Sequence, residues 1–368
     1  MAPHVDALPL VETRSNGKLR GMQSGNGRYG AAHADPRDAY RDVPILVRPP
    51  WNNAIAAYFF FGGVSCGSYV LGSLAGVLGG EKRQPLARTA HYISFSTMLL
   101  CPPLLIYDLG RRVRFHHMLR IFKPSSPMNL GAWALTAHGL FATAVAARAL
   151  ADDDRMPVPR DLLRSIPLAG DLIKALPEKP LALAGVPTAL TLGGYTGVLL
   201  GTSSVPVWFR SHLLGALFMG SAMSTGAAAV VFAQDLTDPE DKGAVRALTP
   251  LTLTMGATEL VLLGGYIVTS GSAIKDLWRG SERLLSSSAT ALIGTAVALE
   301  AFSATAEDME PDRERLLSMV ASAATLAGGA LLRWAVVRAG HRSAADRDET
   351  LKSTAPSAQA PGWTPNVV

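Results

Sequence analysis

The chain has 368 residues, 48% of them hydrophobic and only 17% charged, with a net charge of +5 and a positive mean hydropathy. Soluble proteins average about 25% charged residues, so this composition excludes an ordinary soluble enzyme. The basic residues track the apolar blocks instead of forming a patch, which also excludes a nucleic-acid module.

Residues 1–48 are polar, rich in Gly, Arg and Asp, and carry no apolar run after Met1. They read as a disordered tail with no cleaved signal peptide. Apolar stretches then follow near 51–79, 88–109, 127–149, 181–201, 211–233, 249–271, 286–305 and 316–338. Each approaches the roughly 20 residues that an α-helix needs to cross about 30 Å of hydrocarbon. The expectation is an all-α integral membrane protein with eight transmembrane helices over residues 49–340. A second disordered tail is expected over 341–368, a segment poor in large apolar residues.

Lys and Arg decide the orientation of such a chain. The tails, with Arg338 at the border of the second, and the loops 110–126, 202–210 and 272–285 carry 20 of them, against 12 in the loops of the other side. Both termini are therefore expected in the cytoplasm of a multi-pass cell-membrane protein. Two loops of the opposite side are acidic, one with Asp235, Asp238, Glu240 and Asp241, the other with Glu307, Asp308, Glu310 and Asp312. Gly63 and Gly67, then Gly72, Gly76 and Gly80, recur at four-residue spacing, as do Gly193, Gly197 and Gly201. That spacing lets helix backbones approach, which matters where lipid offers no hydrophobic drive. Pro102–Pro103 predicts a kink in the second span.

Polar and aromatic side chains gather at one end of the spans: Trp51, Asn52, Asn53 and Tyr58, then Tyr107 and Asp108, then Tyr195, Arg210 and His212. Interfacial Trp, Tyr and Arg account for part of this pattern. Tyr58 and Tyr195 lie deeper than a belt residue needs. Aromatic walls with a few hydrogen-bonding groups suit a flat apolar ligand bearing carbonyls, such as a quinone. Ionisable groups within spans are costly and mark candidate function. His138, Glu259 and Glu300 read as steps of a proton path, or as structural polar contacts such as a Glu259–Arg333 ion pair. Haem is not expected, because His138, His91 and His212 fall at different depths. The two cysteines, Cys66 and Cys101, are too few for a thiolate-held iron–sulfur cluster on this chain.

The segment YDLGRRVRFHHMLRIFKPSSPMNLGAW, residues 107–133, resembles the Asp-Leu-Gly-Arg-Pro, Ser-Pro-Met and Gly-Ala-Trp elements of the NrfD/polysulfide reductase membrane-subunit family. WNNAIAAYFFFGGVSCG at 51–67 and YTGVLLGTSSVPVWFRSHLLGALF at 195–218 support the resemblance, which spans about 45–340. It implies eight helices in two four-helix bundles without haem. It implies an iron–sulfur partner subunit attached to a catalytic, often molybdopterin-dependent, subunit, and electron exchange with menaquinone or ubiquinone. Carried over by position, Tyr58 and Tyr195 line the quinone pocket, with Asp108 and Arg111 beside it. Asn53 and His212 complete the candidate set, and Asp108 or His212 assists protonation. The Arg-rich loop 110–126 is expected to help dock the partner. The sequence departs from the family at Arg112, where proline is usual, at Tyr58, where some members have histidine, and at Ala54, where those members have asparagine. An ion or proton transporter using Glu259 and Glu300, and a passive membrane anchor, are the competing expectations.

Overall fold

The computed structural model describes residues 44–154, 161, 165, 169–237, 242–306 and 309–354. Eight helices in it are long and apolar enough to cross a membrane: α1 Asn53–Leu78, α2 Gln84–Asp108, α3 Pro127–Ala151, α4 Glu178–Gly201, α5 Leu214–Thr237, α6 Lys242–Thr269, α7 Gly280–Thr305 and α8 Pro311–Ala345. No strand occurs among the described residues. The starts follow local chemistry. Asn52 accepts a hydrogen bond from the Ala54 N–H at 2.7 Å and opens α1. Ser126 and Pro127 open α3 in the same way. Asp312 and Glu314 sit in the first turn of α8, where the helix dipole favours negative charge.

The helices alternate in direction, so their ends sort into two faces. The face holding residue 53 is called proximal and the other distal. Proximal ends are joined by the Asn52 N–H donating to Asp108 Oδ1 at 3.1 Å and by the Arg48–His341 contact at 3.3 Å. Distal ends are joined by the Arg315 guanidinium and the Ser318 hydroxyl, which both donate to Asp235. Asp235 was expected in an acidic loop but occupies the last turn of α5 and is 5% exposed. Its neighbours Asp238, Glu240 and Asp241, like Glu307 and Asp308, lie outside the described residues.

α1 is the centre of the molecule. In its most apolar stretch 78% of residues are buried, against 28% in α2, α6 and α7. It packs on α2, α4, α5 and α8, while Val198, Val261, Val268 and Leu284 point outward to where lipid would lie. Such enclosure needs small residues. A Cβ on Gly67 would run into the Ala222 carbonyl, and one on Gly226 into the Gly67 backbone, so glycine lets α1 and α5 cross in direct backbone contact. α2 stays helical through Pro102 and Pro103. A groove of about 340 Å³ opens beside them between α2 and α3, walled by Met98, Pro102, Leu105, Leu135 and Gly139.

The connection between α4 and α5 turns inward. Trp208 is fully buried; its indole N–H donates to the Val336 carbonyl at 2.8 Å, and its ring stacks on Trp51 at 5.3 Å. The Ser343 hydroxyl accepts from the Val207 N–H at 3.3 Å, and Tyr266 donates to the Val207 carbonyl at 2.7 Å.

The tail expected from residue 341 is instead helical well beyond that point. α8 continues to Ala345, and α9 follows over Arg347–Thr354. What docks α9 is Glu349, fully buried, which accepts from Ser272 at 2.7 Å and pairs with Lys275 at 3.1 Å; Lys275 also pairs with Asp346 at 2.9 Å. The buried acid and its lysine lie far apart in sequence, which is why composition alone read this segment as a loose tail. Burial by itself would raise both carboxyls, but hydrogen bonds from Ser272, Lys275 and the Glu349 N–H outweigh it, so both lie below the usual carboxylate range. Burial opposes the charge on Lys275 as well, yet the two carboxylates hold it above the ordinary lysine value. Residues 1–43 and 355–368 lie outside the described residues.

Candidate functional site

Two polar interiors flank α1. On one side, Arg333 of α8 reaches across the protein with its charge fully buried. Its Nε donates to the Phe59 carbonyl at 3.0 Å, and its Nη1 donates to Ser221 at 2.8 Å and to the Gly329 carbonyl at 2.9 Å. Ser221 and Ser224 of α5 face Glu259, and the Ser224 hydroxyl donates to its Oε2. The expected Glu259–Arg333 pair is therefore relayed through serine, not made directly. Glu300 of α7 lies one to two turns distally, near Thr252 and Gly256 of α6.

On the other side, α1 presents Tyr58, Gly62, Ser65, Tyr69 and Ser73, spaced three or four apart and so on one helix face. α2 opposes them with Asp108, Cys101, Ser94 and His91. Ser65 donates to the Ser94 carbonyl at 2.8 Å, and its oxygen lies 3.0 Å from His138 Nε2 of α3. The Tyr69 ring stands between two imidazoles, with centroids 5.3 Å from His138 and 5.4 Å from His91. Its hydroxyl is seated against Gly185 of α4, where a Cβ would collide with it.

The proximal end of this face gathers part of the expected set. Tyr58 is 3% exposed, with Cys101 of α2 and Tyr195 of α4 among its neighbours. The Tyr195 ring lies over Gly131 of α3, where only glycine leaves room, and its hydroxyl donates to the Pro127 carbonyl. Asp108 receives the Asn52 N–H as described, tying the start of α1 to the end of α2.

Other candidates lie apart from that group. Asn53 lines a polar hollow of about 720 Å³ at the proximal face with Arg48, Glu282, Arg338, His341 and Arg342. Arg111 is exposed in the loop after α2, walling a separate hollow with Arg112 and Arg114, and His212 is exposed before α5. Glu259 and Glu300 belong to α6 and α7, whereas His138 belongs to the α1–α3 side, so the structure divides the expected proton-path residues between two regions.

Sequence reasoning missed Tyr69, Ser65 and Ser94, and with them the tyrosine ring that stands between His91 and His138. The signal was available in the spacing of polar residues on α1, from Tyr58 to Ser73, and on α2, from His91 to Asp108. Among the described residues no group of His, Cys, Asp and Glu is arranged to hold a metal ion.

Comparison with known proteins matches residues 45–344 to the family described as "Polysulphide reductase, NrfD". The C subunit of a selenate reductase from Mesobacillus selenatarsenatis is 23% identical over 243 residues, 59% of this chain and 56% of the relative. The C chain of a polysulfide reductase from Wolinella succinogenes is 29% identical over 183 residues, 48% of this chain and 55% of the relative. An Hdr-like menaquinol oxidoreductase integral membrane subunit from Archaeoglobus fulgidus is 28% identical over 91 residues, 25% of this chain and 23% of the relative. The chain thus spans little more than half the length of the first two of these relatives. Eight apolar helices and a family match running from the start of α1 to the end of α8 lead to one conclusion: the chain is a multi-pass membrane protein belonging to the NrfD family.

Proposed function

We propose that this chain is the quinone-reactive membrane subunit of a multi-subunit oxidoreductase, exchanging electrons with an iron–sulfur partner that is itself attached to a molybdopterin catalytic subunit. The observation that carries the reading is the meeting of two deep tyrosines from different helices: Tyr58, 3% exposed, has Tyr195 and Cys101 as neighbours. The residues fit a flat ligand bearing carbonyls: Tyr58 donates, while Tyr195, held to the Pro127 carbonyl, supplies an aromatic wall. A bound menaquinone or ubiquinone supplies two-electron, two-proton redox chemistry.

The chain's own residues bind, orient and move protons. Asp108 fixes the proximal end of α1 against α2 and so positions Tyr58. Arg111 and the rest of the loop 110–126 offer positive charge to a partner at the proximal face, which the lysine and arginine balance puts in the cytoplasm with both termini. Asn53 and His212 serve that face, away from the tyrosines. Glu259 and Glu300 form a polar line toward the distal face and are candidates for proton transfer there. The grouping of α1–α4 and α5–α8 into two bundles belongs to the same reading, supported by α2 and α3 packing together and by α7 and α8 doing so.

The test is purification of the full chain in mild detergent, an iron and molybdenum assay of what accompanies it, and titration with a quinone analogue. Co-purifying iron and saturable binding, weakened about tenfold in Tyr58→Phe, about 1.4 kcal/mol, are expected. A metal-free preparation that binds no analogue would overturn the reading and bring the transporter forward.

A further inference from the structure

The α1–α3 side carries an unusual set of orphans. Tyr69 Oη, Ser73 Oγ, His91 Nδ1 and His138 Nδ1 are all buried and have no hydrogen-bond partner. The Tyr69 and Ser73 hydroxyls neighbour each other without closing a bond of good geometry. Tyr69, Ser73 and His138 are fully buried, and His91 is 5% exposed. Buried polar atoms are nearly always paired, with protein or with ordered water, and lipid offers them nothing. Four such atoms within two ring contacts of one another call for water.

The stripe also has a direction. From Tyr58 to Ser73 it climbs 15 residues of α1, about 22 Å at 1.5 Å per residue, most of the hydrocarbon thickness. Its proximal end is Tyr58 with Cys101. Its distal end lies below Arg88, whose side chain is 27% exposed, and buried Asp153, which lies 3.9 Å from Arg88 and accepts from the Tyr92 hydroxyl at 3.0 Å. The two nitrogens of His138 face different surroundings. The Ser65 proton is spent on the Ser94 carbonyl, so Nε2 is the donor to Ser65 and Nδ1 is the open acceptor.

We infer that α1, α2 and α3 enclose a hydrated proton relay through His138, Tyr69 and His91, entered from the distal face beside Arg88 and Asp153. Water is its resident ligand and the proton its cargo. Each imidazole takes a proton on one nitrogen as it releases one from the other, so nothing is consumed in a passage. The relay's service to a redox site at Tyr58 rests on the quinone reading; its hydration does not.

Two measurements on the full-length chain in lipid vesicles test it. Ser73→Cys and Ser94→Cys are treated from the distal side with a small water-soluble methanethiosulfonate, and the labelled peptide is located by mass spectrometry. Both should react at least tenfold faster than Ala228→Cys, buried in α5; equal rates overturn the proposal. Proton flux under an imposed potential, read with an entrapped pH dye, should fall about tenfold in both His91→Phe and His138→Phe. Rapid labelling with unchanged flux would leave a wet cavity and overturn the relay. Rapid labelling and reduced flux in a protein that binds no quinone analogue would uphold the relay and remove only the redox role.

Discussion

The two polar interiors beside α1 solve the same problem in opposite ways. Around Arg333 the protein supplies most of the partners itself: three hydrogen bonds from one guanidinium reach α1, α5 and its own helix, and of that group only Glu259 Oε1 stays open among the described residues. Around Tyr69 the protein leaves four buried polar atoms open. A network whose members are satisfied by neighbours rigidifies a core, whereas one left incomplete must be completed by something that enters. The first is a clamp between helices and the second a place for a visitor.

The sharpest way to break this contrast is to remove the clamp. Arg333→Leu leaves the Phe59 carbonyl and Ser221 without their donor and Glu259 without a nearby cation. Loss of one partner from a buried charged network costs about 3–5 kcal/mol, so thermal unfolding in detergent should fall steeply. Next comes the seam where the two regions meet. Gly67→Ala places a methyl group against the Ala222 carbonyl, and overpacking of that kind costs about 1–3 kcal/mol; α1–α5 cross-linking efficiency and melting temperature should both drop.

On the open side the effects should be smaller. Tyr69→Phe removes a hydroxyl that no protein group satisfies, so its stability should stay within about 1 kcal/mol of the parent. A loss as large as that of Arg333→Leu would show that the two interiors are alike after all.

The gentlest test lies outside both. The folded-state carboxyls of Asp346 and Glu349 lie below their ordinary values, so their contribution to docking α9 is present above the ordinary carboxylate pKa and lost as pH falls through the folded values. Lys275, raised above its ordinary value, contributes below that value and ceases to as pH rises through its folded one. Amide exchange of residues 347–354 should therefore be flat through neutrality and accelerate below about pH 4.

The eight helices were legible because lipid imposes a length and an apolar composition on every span, and helix starts carried their own marks at Asn52, Ser126 and Pro127. Tyr58, Tyr195 and Asp108 were legible from their depth near one end. The Tyr69 cluster was not, because its members come from three helices and each looks ordinary alone. Nothing in the sequence joins a histidine at 91 of α2 to another at 138 of α3 until the fold puts the Tyr69 ring of α1 between them. The docked α9 was hidden for a related reason: Glu349 in a polar segment is unremarkable until Ser272 and Lys275 meet it.

The inward-turned connection at Val207 and Trp208 has a consequence for how the protein is made. Its hydrogen-bond partners Val336 and Ser343 follow 128 and 136 residues later. During synthesis the first four spans can enter the bilayer while this segment still waits, its indole and backbone exposed, for the last helix to arrive. A polypeptide that stops before Val336 leaves the Trp208 indole N–H and the Val207 N–H without these partners, so the final span completes a segment made long before it.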